Sequence, residues 1–133
     1  MLRVHPFTLG HLIGAVIVSG AAGMFLPDPL SALKMVAVFV LGVAVSAFVC
    51  QWRPGTEAAG WKLWLVAVLA NPVMLLSLGF MAVDWECLAG IRRGWGCFAA
   101  AIAVPVAAGC LLPPLFGLAW RGWKRRVAAR RAA

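Results

Sequence analysis

Four long apolar stretches, separated by short polar segments, dominate the sequence. They lie at about residues 7–26, 29–50, 61–83 and 97–120. A helix needs roughly 20 apolar residues to cross the roughly 30 Å of hydrocarbon in a bilayer. The pattern therefore predicts an all-α integral membrane protein whose four transmembrane helices form an antiparallel bundle. We expect residues 1–133 to form a single domain, with a basic tail at 121–133.

The tryptophans follow the same division of the chain. All seven lie at or near the ends of the apolar stretches, and none lies in the middle of one. They are Trp52, Trp61, Trp64, Trp85, Trp95, Trp120 and Trp123. Indole rings collect at the headgroup level of membranes because the ring is apolar while its N–H needs a polar partner. Their positions support the four predicted spans.

The basic residues predict the orientation of the chain. An even number of spans puts both termini on one side, and that side has nine basic residues against three on the other. The nine are Arg3, Arg53, Lys62, Arg121, Lys124, Arg125, Arg126, Arg130 and Arg131, and the three are Lys34, Arg92 and Arg93. Lysine and arginine are enriched in cytoplasmic loops. We therefore predict cytoplasmic termini in a bacterial inner (cytoplasmic) membrane.

Composition and charge exclude other classes of protein. With 64% hydrophobic residues, the chain has more apolar surface than a soluble domain of 133 residues could cover. The net charge of +8 does not indicate nucleic-acid binding, because half of the twelve basic residues follow the fourth span. Those six are Arg121, Lys124, Arg125, Arg126, Arg130 and Arg131. The tail is a topogenic signal that could also contact anionic lipid or an acidic partner subunit.

Small residues recur four positions apart in three of the spans. The sets are Gly10 and Gly14, Ser19 and Gly23, then Gly42, Ser46 and Cys50, then Ala99, Ala103 and Ala107. Inside a membrane, helices associate where small side chains let their backbones approach closely. The spacing predicts a compact bundle, or a helix face offered to another subunit.

Two cysteines flank the longest polar loop, at 84–96. Cys87 and Cys97 could form a disulfide that joins the third span to the fourth if that loop faces an oxidising compartment. The alternative is two free thiols. Cys50 and Cys110 lie within or at the end of spans and are expected to be small packing residues.

The third span is interrupted by Asn71-Pro72, and the fourth contains Pro105. A proline within a helix cannot donate to the carbonyl four residues earlier, which leaves Val68 and Ala101 as the affected carbonyls. Breaks near the middle of a membrane line substrate sites in many transporters. Asn71, Pro72 and Pro105 therefore form a possible intramembrane polar site. The alternative is that the prolines only kink the helices, with Asn71 bonding a freed carbonyl across the bundle.

The remaining polar residues give no sign of catalysis. His5 and His11 are the only histidines, and six residues of helix would turn them about 120° apart, which is poorly suited to one metal or haem. We expect His11 to be hydrogen-bonded or to extend toward the interface. Lys34 is expected to reach the interface near Asp28 or Glu86, and no carboxylate lies inside a span. The sequence therefore predicts neither an enzyme nor a cofactor.

Two functions fit this pattern. The first is a non-catalytic accessory or structural subunit of a larger membrane protein complex, because the chain has almost no mass outside its spans. The second is a small channel or transporter that self-associates around the interrupted helices 3 and 4.

Overall fold

The computed structural model of the chain describes residues 4–55 and 57–132; the predicted domain's remaining positions, including Arg3, lie outside the described residues. The described part is helical, without strands. The helices are α1 (Pro6–Gly23), α2 (Pro29–Cys50), α3 (Gly60–Leu69), α4 (Pro72–Val83), α5 (Trp85–Leu88), α6 (Phe98–Cys110) and α7 (Leu112–Ala132). A kinked turn, Gln51–Gly55, follows α2, and a 3-10 turn, Trp95–Cys97, precedes α6.

Three helices begin with a polar side chain followed by a proline. In each, the side chain accepts a hydrogen bond from a backbone N–H two or three residues later, which satisfies a donor that the helix leaves open. The pairs are His5 with Phe7 at 3.2 Å, Asp28 with Ser31 at 2.7 Å, and Asn71 with Val73 at 3.0 Å. Hydrogen bonds from the hydroxyl and the N–H of Ser31 hold the pKa of the exposed Asp28 carboxyl below its usual value.

Three continuous helical segments are long and apolar enough to cross a membrane. They are Pro6–Gly23, Pro29–Gly55 and Trp95–Ala132, with 18, 27 and 38 residues. The predicted third span consists of α3 and α4, which meet at Asn71 with a bend of 64° and would be a fourth candidate if the pair counts as one span. The prediction of apolar helices is therefore confirmed, with three or four candidate spans.

The break expected at Pro105 is not found. α6 runs through Pro105 and ends at Cys110, and α7 begins at Leu112 with Pro113 and Pro114 in its first turn. A single proline removes one hydrogen bond from a helix, which neighbouring residues can absorb. Of the two predicted interruptions, only the one at Asn71-Pro72 produces a sharp bend in the described chain.

The closest helix contact lies between α1 and α7. A Cβ added at Gly10 would lie 2.5 Å from Cβ of Trp120, and one added at Gly14 would lie 2.7 Å from Cβ of Phe116. On the other side of the contact, Gly117 packs against the ring and carbonyl of Phe7. The first predicted small-residue pair therefore lies where two backbones approach each other.

α1, α3 and α4 pack against α2, and α6 packs against α4. Gly42 faces Asn71 and Val73, while Ser46 and Cys50 are fully buried. The predicted alanine stripe of α6 is shifted by one position at its start, because Ala100 is buried and Ala99 is exposed. Ala103 and Ala107 are buried as expected.

The loop between α4 and α6 brings Cys87 and Cys97 to disulfide distance, with their Cα atoms 5.5 Å apart. Gly90 and Gly94, with φ of 74° and 110°, allow the chain to reverse between the two cysteines. Arg92 Nη2 donates to Asp84 Oδ1 at 2.6 Å across the base of the loop. The loop is therefore closed twice, by a cysteine pair and by an ion pair.

Candidate functional site

Asn71 lies between the end of α3 and the start of α4, and it caps α4. Its side chain is 1% exposed, and its Oδ1 accepts from the N–H of Val73 at 3.0 Å. The carbonyl of Val68, which Pro72 cannot serve, accepts instead from the backbone N–H of Asn71 at 3.3 Å. The N–H of Val73 and the carbonyl of Val68 at the bend are therefore both hydrogen-bonded by Asn71. Among residues 4–55 and 57–132, the Asn71 side chain makes no hydrogen bond to a carbonyl of another helix, and the expected bond across the bundle is not found; the Val68 carbonyl is served by the backbone of Asn71 instead.

Pro105 lies on an apolar groove between α1, α2, α4 and α6. The groove has a volume of about 580 Å³, and its walls include Val18, Phe39, Val73 and Gly109. We call it the Pro105 groove. Val73 follows Pro72 directly and lines the same groove as Pro105, so the two predicted interruptions do lie near one another. Asn71 does not line it; that side chain lies against Gly42 of α2.

Lys34 lies at the Pro105 groove and is the one charged residue among those that line it. No carboxylate of the described residues lies within ion-pair distance of its ammonium. The expected approach to Asp28 or Glu86 is therefore not made within residues 4–55 and 57–132. Of the two predicted carboxylates, that of Asp28 caps α2 by accepting from the N–H of Ser31.

Polar contacts join the start of α1, the α2–α3 loop and the end of the chain. Glu57 Oε2 accepts from Arg125 Nη2 at 2.7 Å, and Glu57 Oε1 lies 3.5 Å from His5 Nε2. Arg121, which is 9% exposed, donates from Nη1 to the carbonyl of Ala58 at 2.9 Å. We call these five residues the basic end. The hydrogen bonds of Arg121 and Arg125 connect the tail to the loop that follows α2.

The six predicted tail residues thus divide into two groups. Arg121 and Arg125 contribute to the basic end, and the Lys124 ammonium lies 5.9 Å from the Trp120 ring and 5.2 Å from the Trp123 ring. Cation–π contacts of this kind are worth about 0.5–1 kcal/mol at exposed sites. Arg126, Arg130 and Arg131 are exposed on the last turns of α7. These three side chains make no hydrogen bond or ion pair with the described residues.

His11 is buried, contrary to the expectation that it is hydrogen-bonded or extends to the interface. It is 1% exposed, its ring lies 5.4 Å from the ring of Phe7, and its Nδ1 has no hydrogen-bond partner in the described chain. Within residues 4–55 and 57–132, no three His, Cys, Asp or Glu side chains lie close enough together to hold a metal ion. Cys50 and Cys110 are buried free thiols, as predicted.

Several contacts that organise these sites were not predicted from the sequence. The ion pair of Glu57 with Arg125 joins residues 68 positions apart, and Trp64 Nε1 donates to the carbonyl of Leu111 at 3.3 Å across a separation of 47. For the contact of Glu57 with Arg125, the only indication in the sequence was that Glu57 is an acidic residue on the side of the membrane that has most of the basic residues. Nothing in the sequence indicated that Lys34 lies beside a groove, because the groove forms only when four helices pack together.

Comparison of the chain with known protein families, with curated proteins and with solved structures finds no match.

Proposed function

We propose that the chain is a multi-pass protein of a bacterial inner (cytoplasmic) membrane and acts as a non-catalytic accessory or structural subunit of a larger membrane protein complex. Its four spans would be α1, α2, the α3–α4 pair, and α6 with α7, arranged antiparallel. The mean hydropathy of the most apolar 18-residue windows of the three continuous segments is 1.4, 2.4 and 2.0. Only 44%, 28% and 22% of those windows are buried within the chain. Such exposed apolar helices need lipid or another protein around them.

The observation that carries the subunit proposal is the exposure of glycines within helices. A Cβ added at Gly20 of α1 or at Gly79 of α4 would meet no atom within 4 Å. Glycine inside a helix costs about 1 kcal/mol relative to alanine. Packing within this chain does not require glycine at either position, whereas a neighbouring helix at close range would. These two positions are therefore the proposed contact points of a partner subunit.

Purification from native membranes in mild detergent tests this proposal. The wild-type chain should co-purify with a membrane subunit in a fixed ratio, and Gly79→Leu should reduce the recovery of that subunit at least tenfold. Gly79→Ala is the matched control, because a single methyl group keeps the helices close. A wild-type chain that runs as a lone monomer and retains no partner would contradict the proposal.

The orientation proposed for the spans places the basic end in the cytoplasm. Contacts among His5, Glu57 and Arg125 support it, because they join the start of α1 to the α2–α3 loop and to α7 at one end of the molecule. The tail residues Arg126, Arg130 and Arg131 would then face the anionic lipids of the cytoplasmic leaflet, each contributing up to about 1 kcal/mol.

Reporter fusions provide the measurement of orientation. A reporter that is active only in the cytoplasm should be active when fused after Ala133 and inactive when inserted at Gly90, in the loop with Cys87 and Cys97. A periplasmic reporter at the same two sites should give the opposite result. If both reporters reversed, the positive-inside argument would be wrong for this chain.

A second candidate function is a self-associating channel or transporter, and the 64° bend at Asn71 favours it. Bent half-helices form substrate sites in transporters. Against it, the polar groups near the bend are used locally: Asn71 caps α4, and Ser77 donates to the carbonyl of Val73 at 2.9 Å. Liposomes that contain only this protein distinguish the two functions, because substrate-dependent flux would favour the transporter.

A further inference from the structure

The Pro105 groove combines apolar walls with a single cation. Its walls are side chains of α1, α2, α4 and α6, and Lys34 is the only charged residue among the lining residues. A groove of this kind cannot hold ordered water, because water needs polar partners. In a membrane, apolar material must fill it.

The size of the Pro105 groove favours a hydrocarbon chain over a helix. A helix with its side chains is 10–12 Å across, whereas an acyl chain is a single row of methylene groups. The groove offers about 580 Å³, within the range of small-molecule sites. An acyl chain is narrow enough to lie between the helices, whereas a partner helix would rest only on the rim.

The positive charge of Lys34 favours a lipid with an anionic headgroup. The ammonium has no carboxylate partner within residues 4–55 and 57–132, and its long stem can place it at the membrane interface. A phosphate is the complementary group for an ammonium beside an apolar surface. Arg92, a basic residue of the adjoining loop, is instead occupied by Asp84 at 2.6 Å.

We infer that the Pro105 groove binds an anionic phospholipid, with one acyl chain between α1, α2 and α6 and the phosphate on Lys34. The inference goes beyond the proposed subunit function, although it rests on the membrane insertion proposed with it. The lipid would cover an apolar surface that none of residues 4–55 and 57–132 covers. The site would lie on the side of the membrane opposite the basic tail.

Photolabelling in detergent micelles tests the inference on the full-length chain. The probe is phosphatidylglycerol that carries a photoreactive diazirine within one acyl chain, added over a range of concentrations. Labelling should saturate, and mass spectrometry should map it to Met35, Val38, Ile102 and Val106, which line the groove. Unlabelled phosphatidylglycerol should compete at least fivefold better than phosphatidylcholine.

Two pairs of variants give the controls. Lys34→Gln should raise the half-saturating probe concentration about fivefold, as expected for one phosphate contact near the surface. Arg93→Gln, which removes a charge at the same end outside the groove, should leave that concentration unchanged.

Ala22→Phe fills the groove and should abolish the mapped labels, whereas Ala37→Phe on the exposed side of α2 should not. If Ala22→Phe does not fold, Gly109→Leu replaces it, because a Cβ there meets only ordinary contacts at 3.9 Å and beyond.

Labels spread evenly over the exposed helix faces, or equal competition by the two lipids, would overturn the inference. So would an unchanged half-saturating concentration in Lys34→Gln. These outcomes would leave the subunit proposal standing. A chain recovered from the soluble fraction of cells would instead contradict the membrane proposal itself.

Discussion

Replacing Gly10 with leucine is expected to lower the free energy of unfolding by about 3 kcal/mol, the upper end of the usual cost of overpacking. A Cβ at this position would lie 2.5 Å from Cβ of Trp120, 3.0 Å from the carbonyl oxygen of Phe116 and 3.1 Å from Cα of Gly117. Two of these atoms belong to the backbone of α7, so no side-chain rotation can relieve the clash. α1 and α7 would have to move apart along their closest contact.

Gly20→Leu on the same helix is the matched control. A Cβ at Gly20 meets nothing within 4 Å, so helix propensity alone acts there and favours leucine by up to about 1 kcal/mol. Unfolding by a denaturing detergent, followed by circular dichroism, should therefore show a loss for Gly10→Leu and no loss for Gly20→Leu. Equal stabilities of the two variants would mean that α1 and α7 do not pack as described.

Cys87→Ser is expected to lower the free energy of unfolding by about 3 kcal/mol under oxidising conditions. The loop closed by Cys87 and Cys97 spans a sequence separation of 10. Closing a loop of this size in the unfolded chain removes conformational entropy worth about 3 kcal/mol in the chain-entropy treatment. Arg92 and Asp84 still hold the base of the loop in the variant, so insertion and the helices should survive.

Reductant provides the control for the cysteine pair. Reduced wild-type protein should match the stability of Cys87→Ser, and reductant should have no effect on Cys87→Ser itself. Alkylation of Cys87 and Cys97 should require reductant, while the reactivity of the buried Cys50 and Cys110 should not depend on it. Two free thiols at Cys87 and Cys97 in protein from native membranes would contradict the bridge and weaken the assignment of this loop to an oxidising compartment.

Local features of the fold could be predicted from the sequence. The helix starts at Pro6, Pro29 and Pro72 each combine a capping side chain with a proline in the first turn, and both signals are local. The interruption at Asn71-Pro72 was predicted because proline cannot donate to the carbonyl four residues earlier. The break at Pro105 was not found: α6 continues through this residue, because local adjustments in a membrane helix can re-satisfy the carbonyl that a proline frees.

The apolar spans, their caps and the basic tail follow from the sequence by itself, because hydropathy and capping depend on residues close together in the chain. Only the tertiary structure decided which glycines are needed for packing between helices of this chain. Gly10 lies against α7, whereas a Cβ at Gly20 would meet no described atom within 4 Å. The tertiary structure also decided that Lys34 borders the Pro105 groove and that Arg121 and Arg125 bind the α2–α3 loop. These relations join residues that are distant along the chain, and they depend on which helix faces meet. Hydropathy cannot specify that choice, because nearly every face of these helices is apolar.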